Sequence, residues 1–114
     1  MKKILNIALL MLLFCNIVVA NDITRVCASH ILVPTEMDAI KIKSQIKSYD
    51  DFKYYARIYS KCPSGRDGGS LGCFGRGQMV KPFEEAAFNG EIGEVSDPVK
   101  TQFGYHLIWV TQKL

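Results

Sequence analysis

The chain of 114 residues is long enough for one small domain with a single hydrophobic core, and it leaves no room for a second. It carries 14 basic and 11 acidic residues, and without Lys2 and Lys3 the excess falls to one positive charge. These nearly balanced charges give no electrostatic basis for binding nucleic acid or a membrane surface.

The first twenty residues have the organisation of a secretory signal peptide. Lys2 and Lys3 form a positive end, the residues from Ile4 to Phe14 are almost wholly apolar, and Ala20 ends a stretch suited to cleavage. The apolar run is slightly short for a membrane span and is interrupted by asparagine. We therefore expect a signal peptide at residues 1–20 and a domain at residues 21–114, exported to the periplasm or secreted. An uncleaved membrane anchor is the alternative.

The first predicted element of the domain is a strand. The segment "RVCASHILV", from Arg25 to Val33, is rich in aliphatic and β-branched residues and stops before Pro34. Alternation along a strand places Ala28, His30 and Leu32 on one face.

Two helices are predicted next. Thr35 begins the first, with Asp38 completing a variant of the capping box. Its apolar stripe is predicted to contain Met37, Ile40 and Ile46. The second begins at Asp50, which can cap it. It is predicted to direct four residues at three-to-four spacing toward the core: Phe52, Tyr55, Ala56 and Tyr59.

A glycine-rich segment follows, with six of the nine glycines between Gly65 and Gly77. A flexible linker would lack large apolar residues, whereas these glycines alternate with Leu71, Phe74 and Met79. The mixture indicates a shaped surface, with a short strand near residues 71–75.

The last part of the domain is predicted to hold a short helix and two strands. Pro82 suits the first turn of the helix and Gly90 its end. The segments "EVSDPVKT" and "YHLIWVTQ" predict strands separated by a tight turn at residues 102–104. The element order predicts an α+β domain whose first and last strands pair in the centre of one antiparallel sheet.

Both histidines of the domain lie within predicted strands. A lone histidine on a strand is ordinarily structural, but pairing of the terminal strands could bring His30 and His106 side by side. Two adjacent buried imidazoles cannot easily both be charged, so each needs a hydrogen-bond partner that holds it in one tautomer. Thr101 is a candidate partner.

Three cysteines remain after the predicted cleavage: Cys27, Cys62 and Cys73. A bridge between Cys27 and Cys73 requires adjacent strands, and we expect all three thiols to be reduced. Cys62 is either a nucleophile with a histidine base, as in thiol hydrolases, or a small buried apolar side chain. The cysteine and histidine spacing fits no zinc pattern, and the absence of a Cys-x-x-Cys pair disfavours a thiol–disulfide oxidoreductase.

Three segments together resemble the parvulin family of peptidyl-prolyl isomerases. They are "ASHILV" from Ala28, "CPSGRDGGSLGCFGRGQMVKPFEEAAF" from Cys62 and "GEVSDPVKTQFGYHLIWV" from Gly93. The resemblance covers the whole mature domain and implies a parvulin-like (FKBP-like) fold with a four-stranded antiparallel sheet and three to four helices. Two positions depart from the family pattern: Ser70 replaces a usual acidic residue, and Cys27 replaces a common arginine.

The resemblance also implies a site. The proline pocket is expected to contain Leu71, Met79 and Phe83, with Phe103 close by. The catalytic polar cluster is expected to contain His30, Cys62, Thr101 and His106.

The implied function is rotation about X-Pro bonds in unfolded or partly folded exported proteins and proline-containing peptides, with no metal or cofactor. The chain lacks an arginine-rich loop after the first strand, so we expect activity that does not depend on phosphate. We also expect a monomer that binds no nucleic acid and has no stable membrane association after cleavage. The alternative is an exported chaperone module that binds peptides in the same groove without significant catalysis.

Overall fold

The computed structural model describes residues 23–114, and the predicted signal peptide at residues 1–20 lies outside the described residues. The helices are α1 (Glu36–Gln45), α2 (Tyr49–Tyr59), a 3-10 helix (Pro63–Asp67) and α3 (Lys81–Asn89). The strands are β1 (Arg25–Val33), β2 (Ser70–Gly75), β3 (Val99–Thr101) and β4 (Gly104–Lys113). No helix within residues 23–114 is long and apolar enough to cross a membrane.

The four strands form one antiparallel sheet in the order β2-β1-β4-β3. The terminal strands therefore lie in the centre, as predicted. In their register His30 is opposite Ile108, and Leu32 is opposite His106. The α+β class and the four-stranded sheet predicted from the sequence are confirmed.

Hydrophobic side chains are buried on both faces of the sheet. On one face α3 packs its buried Phe83, Ala87 and Phe88 against the strands. On the other face α1 and α2 bury Ile42 and Phe52, among others. Because both faces are covered, β1 is buried along most of its length, which explains its almost continuous apolar sequence.

Helix α1 is capped as predicted, but its buried face differs from the prediction. The Thr35 side chain accepts a hydrogen bond from the backbone N–H of Asp38, 3.1 Å away. Met37 and Ile40 are exposed, whereas Ala39, Ile42 and Ile46 are buried. Apolar residues occur around most of this helix, so its periodicity allowed two faces, and packing on the sheet selects one of them.

Helix α2 begins earlier than predicted. Ser48, rather than Asp50, is its N-cap, and the Ser48 hydroxyl accepts a hydrogen bond from the Asp51 N–H. Phe52 and Ala56 are buried as predicted. Tyr55 is half-buried, and Tyr59, the last residue of the helix, is exposed rather than buried as predicted.

The strand predicted from "EVSDPVKT" is shorter than expected. Only Val99–Thr101 pair continuously with β4. Upstream, Ile92 and Val95 make isolated bridges to β4. Pro98 separates the two regions, and a proline cannot donate a ladder hydrogen bond.

The prediction of three reduced thiols is wrong for two of them. Cys27 on β1 lies directly opposite Cys73 on β2, and the two form a disulfide. Among the described residues Cys62 is the free cysteine. Both residues were predicted to lie in strands. The register that places them opposite each other was not predictable from the sequence.

We expect loss of this disulfide to lower the free energy of unfolding by about 2–4 kcal/mol, because the bridge closes a long loop in the unfolded chain. Urea denaturation of oxidised protein with and without dithiothreitol measures the effect. A Cys27→Ala/Cys73→Ala variant serves as the control, since reductant should not shift its midpoint. An unchanged midpoint for reduced wild-type protein contradicts the prediction.

Candidate active site

The central strands bring the two histidines together, as the sequence predicted. His30 Nδ1 lies 3.0 Å from His106 Nδ1, and the two rings are stacked with centroids 5.1 Å apart. His30 is 5% exposed and His106 is 4% exposed, so both are buried. One of the two Nδ1 atoms must therefore be protonated and donate a hydrogen bond to the other.

Thr101 holds the far side of His106. Its Oγ1 lies 2.7 Å from His106 Nε2 and accepts a hydrogen bond from the backbone N–H of Phe103 at 3.1 Å. Thr101 itself is buried. The predicted partnership between Thr101 and His106 is thus present.

Ser64 holds the far side of His30. Its Oγ lies 3.2 Å from His30 Nε2, and its hydroxyl donates to Cys62 Sγ at 3.3 Å. Ser64 lies in the 3-10 helix that follows Cys62. Ser64 was not among the residues predicted for the site, and its one signal in the sequence is a hydroxyl two positions after Cys62.

These hydrogen bonds set one direction of donation through the cluster. Because the Ser64 hydroxyl donates to Cys62, Ser64 Oγ accepts from His30 Nε2–H. Neutral His30 then accepts at Nδ1 from His106 Nδ1–H, and His106 Nε2 accepts from the Thr101 hydroxyl. Each histidine is fixed in one tautomer by a partner on either side.

Burial keeps both imidazoles neutral. Removal from water, and to a smaller extent repulsion from His106, lowers the pKa of His30 from 6.5 to about 4. Burial alone lowers the His106 pKa to about 4. At neutral pH the pair is therefore uncharged, which is the only state compatible with the directed hydrogen bonds.

An apolar cavity of about 480 Å³ lies over the histidine pair, and we call it the histidine cavity. Every residue predicted for the proline pocket lines it: Leu71, Met79, Phe83 and Phe103. His30, Cys62 and His106 also line it, whereas Thr101 reaches it only through His106. Its volume is in the range of small-ligand sites.

Phe83 joins the apolar and polar parts of the cavity. Its ring meets His30 edge-on, with centroids 5.5 Å apart, and meets His106 in the same way at 5.2 Å. Phe83 is buried in the core beneath α3. The imidazoles and the phenyl ring therefore support one another.

Gly69 allows the glycine-rich segment to lie directly on β1. Its carbonyl accepts the N–H of His30 at 2.9 Å, its φ is +86°, and a Cβ at this position would collide with the His30 carbonyl oxygen. This close contact begins β2 and places Leu71, two residues later, on the cavity wall.

Glu84 anchors the loop that brings Met79 to the histidine cavity. This buried carboxylate accepts hydrogen bonds from the Gly77 N–H at 2.7 Å and from the Arg76 guanidinium at 3.2 Å. The bond from Gly77 is the main cause that lowers the pKa of Glu84. The anchored loop then carries Met79 into the cavity.

Several further residues line the cavity that were not predicted for it, and each lies within two positions of a predicted one: Leu32, Lys61, Pro63, Gln78 and Val80. Across residues 23–114, no three side chains of His, Cys, Asp or Glu cluster in a way that could hold a metal ion.

A small antiparallel domain with an apolar cavity over a neutral histidine pair has the architecture expected of a parvulin-type isomerase. The family described as rotamase, PPIC-type PPIase domain, matches residues 30–112. The chain therefore belongs to the PPIC-type peptidyl-prolyl isomerase family, a family of rotamase enzymes.

Three relatives illustrate the similarity. The foldase protein PrsA of Geobacillus kaustophilus is 52% identical over 90 residues, which cover 78% of this chain and 32% of that protein. A second relative is a solved structure from Campylobacter jejuni. It belongs to a pair of SurA-like chaperones, PEB4 and the periplasmic protein Cj1289, and is 40% identical to this chain with a TM-score of 0.77. It covers 81% of this chain and 40% of its own. The parvulin NmPin of Nitrosopumilus maritimus is 41% identical with a TM-score of 0.66, covering 78% of this chain and 97% of its own.

The chain thus spans about a third of the length of the curated relatives it matches.

Proposed function

We propose that this chain catalyses cis–trans rotation about X-Pro bonds without forming a covalent intermediate. The observation that carries the proposal is the contact of Phe83 with both neutral imidazoles in the wall of one apolar cavity. Such a cavity can hold a prolyl ring against Leu71, Met79 and Phe83. The paired histidines then lie beside the amide that rotates.

Rotation about this bond faces a barrier of about 18–20 kcal/mol, because resonance gives the C–N bond double-bond character. Catalysis requires the protein to bind the twisted amide more strongly than the planar one. The planar amide is the more dipolar form and is disfavoured by an apolar wall. The twisted form has lost this resonance and is less dipolar. The same apolar surroundings therefore disfavour the twisted form less than the planar one.

The polar cluster has an electrostatic role in this proposal. His30 and His106 are neutral and fixed in orientation, so they present a defined field to the rotating carbonyl. Thr101 and Ser64 fix that orientation from either end. Cys62 contributes packing and a polarisable sulfur, and no step requires its thiolate.

An exchange assay on a short X-Pro peptide, by NMR or by coupled proteolysis, tests the proposal. Acceleration of exchange by the folded domain supports it. Peptide binding without acceleration supports the alternative, a chaperone module that uses the same cavity without significant catalysis.

We expect Cys62→Ser to retain at least about a tenth of the wild-type kcat/KM, which is a loss of no more than about 1.4 kcal/mol. A serine hydroxyl can still accept the hydrogen bond from Ser64 that now ends at Cys62 Sγ. Peptide exchange measured beside circular dichroism checks activity and folding together. Complete loss of activity in a folded variant would assign Cys62 a nucleophilic role instead.

We also expect no requirement for phosphate before proline. Strong phosphate recognition uses forked contacts from arginine, and no arginine lines the histidine cavity within the described residues. Lys41, Lys43 and Lys81 do not line it either, and the lysine that does line it is Lys61. Peptides that differ only in Ala, Leu, Glu or phosphoserine before proline test this. A preference for phosphoserine over Leu of about tenfold or more contradicts it.

The proposed substrates are proline-containing segments of unfolded exported proteins. The described folding roles of the relatives, a foldase and periplasmic SurA-like chaperones, support this substrate class. Export depends on the signal peptide predicted at residues 1–20, so we propose a periplasmic or secreted location. A monomer with no nucleic-acid partner remains our expectation, and sizing chromatography of the domain checks the oligomeric state.

A further inference from the structure

The pairing of β2 with β1 contains a β-bulge next to the histidine cavity. Cys27 is opposite Cys73. Two residues further along β1, Ser29 is opposite Ser70, which lies three positions before Cys73. One residue of β1, Ala28, therefore faces two residues of β2, at positions 71 and 72. The extra residue of a bulge changes the direction of the side chains beside it.

The bulge gives the Leu71 side chain its direction. Leu71 lies three residues before Phe74, and strict alternation along a strand places residues three apart on opposite faces. Both side chains nevertheless pack in the core on the α3 face of the sheet, and Leu71 lines the histidine cavity. A shift of one residue in the pairing turns a side chain to the other face. Without the bulge, a strand that kept Phe74 in the core would direct Leu71 away from the cavity.

The disulfide closes the bulge at one end. Cys73 lies two residues after Leu71, and its bond to Cys27 fixes the last pair before the register shifts. At the other end the chain is held by the hydrogen bond between β1 and the Gly69 carbonyl. Between these connections Gly72 has a φ of +69°, and no other described residue comes within 4 Å of the position that a Cβ would take. Neighbouring side chains therefore do not restrain this part of β2.

The rest of β2 specifies its register only weakly. It is an edge strand of six residues, two of them glycine, and glycine-rich strands slip in register more easily than others. Phe74 is buried and attaches the strand to the core whether or not the bridge is present. Loss of the bridge therefore loosens the pairing beside Leu71 without detaching the strand.

We propose that the Cys27–Cys73 disulfide is a positioning element for the isomerase site: it holds the bulge that directs Leu71 into the histidine cavity. The inference rests on the proposed function and adds a redox dependence to it. The oxidised domain is the more active form, and reduction withdraws one wall of the proline pocket.

A dithiol can carry out this reduction. Cys73 is exposed and Cys27 is buried, so a thiolate of the dithiol attacks Cys73 Sγ. The Cys27 thiolate leaves and takes up a proton. The second thiol of the dithiol then displaces Cys73 from the mixed disulfide. The products are two protein thiols and the oxidised dithiol.

The test compares oxidised wild-type protein with protein reduced by dithiothreitol, using NMR exchange on a short X-Pro peptide. NMR is preferred to coupled proteolysis because the reductant would also attack the disulfides of a protease. Circular dichroism gives the folded fraction of each sample. We expect reduction to lower kcat/KM per folded molecule about fivefold, mainly through a higher KM, because a loosened wall binds the prolyl ring less well.

Cys27→Ala/Cys73→Ala controls for effects of the reductant itself. It should show the lower kcat/KM both with and without dithiothreitol. If this variant does not fold, Cys27→Val/Cys73→Val keeps an apolar cross-strand pair without the covalent bond and takes its place.

Leu71→Ala tests the route by which the disulfide acts. Reduction of this variant should change kcat/KM by less than about 1.5-fold, because the side chain that the disulfide positions is gone and the two losses are not additive. Met79→Ala is the matched control. Met79 also lines the cavity but is carried by the loop that Glu84 anchors, so reduction should lower its kcat/KM as much as in wild type.

The outcomes separate the two proposals. If oxidised wild-type protein does not accelerate exchange, the proposed function fails and this inference fails with it. If it does, but folded reduced protein has the same kcat/KM, the disulfide only stabilises the domain and the inference is overturned. A loss on reduction as large in Leu71→Ala as in Met79→Ala also overturns it, because the disulfide would then act through another part of the site.

Discussion

Phe83→Ala is expected to lower kcat/KM for an X-Pro peptide by about 30- to 100-fold and the free energy of unfolding by about 3–5 kcal/mol. The stability loss follows from removing a fully buried ring beneath α3. The activity loss follows from the same ring's second role, since it forms the cavity wall and contacts both imidazoles. Without it the prolyl ring loses its apolar support and water reaches the histidine pair.

Phe88→Ala is the matched control for this prediction. Phe88 is buried in the same core and on the same helix but does not line the histidine cavity. We expect a similar loss of stability with kcat/KM retained per folded molecule. Phe83→Leu keeps the core filled if the alanine variant does not fold, and it should still lose activity. Equal kcat/KM values for the Phe83 and Phe88 variants would show that the cavity wall has no role in rotation.

The histidine pair shows how much of the site was predictable from sequence. A chain with strands at both ends was predicted to pair them centrally, and each strand carried one histidine on a definable face. Pairing therefore predicted the contact between His30 and His106, and the short distance along the chain from Thr101 to His106 made Thr101 a candidate hydrogen-bond partner. The resemblance supplied the apolar residues of the cavity, which periodicity alone assigned only to a core.

The features that escaped prediction depend on register or on packing between elements. Cys27 and Cys73 meet because β2 pairs with β1 in one register out of several possible ones. Helix α1 turns Ile42 rather than Ile40 toward the sheet because tertiary packing selects between two apolar faces. Ser64 contacts His30 only because the 3-10 helix returns the chain over β1. None of these contacts has a local pattern in the sequence.

Stability and chemistry depend on the same buried groups in this domain. The central strands supply both the hydrophobic core and the histidines, and the close contact of Gly69 with His30 joins the cavity wall to the sheet. A substitution that moves a central strand therefore changes both the stability of the domain and the geometry of the histidine pair. The neutrality of the histidine pair has a consequence for stability that can be measured without any substrate.

We expect the domain to lose about 2–4 kcal/mol of stability between pH 7.5 and pH 5. Each histidine has a pKa near 6.5 when exposed and about 4 when folded. Above pH 6.5 both states are neutral and the pair has no pH-dependent effect. Below pH 6.5 the unfolded chain binds protons that the folded chain does not, so unfolding becomes more favourable until the pH falls through the folded pKa.

Urea denaturation at intervals from pH 8 to pH 4.5 measures this loss, and NMR of the imidazole resonances reports the protonation state directly. The chain contains only these two histidines, so a stability slope that begins near pH 6.5 belongs to them. The carboxylates of Glu84 and Asp97 have lowered pKa values and contribute only at more acidic pH. The imidazole resonances should remain those of the neutral form down to about pH 5, and kcat/KM should stay level over the same range where the protein is folded. Constant stability from pH 7.5 to pH 5, or an imidazole that titrates near pH 6.5 in folded protein, would mean that the pair is accessible to water and that the directed hydrogen bonds do not persist in solution.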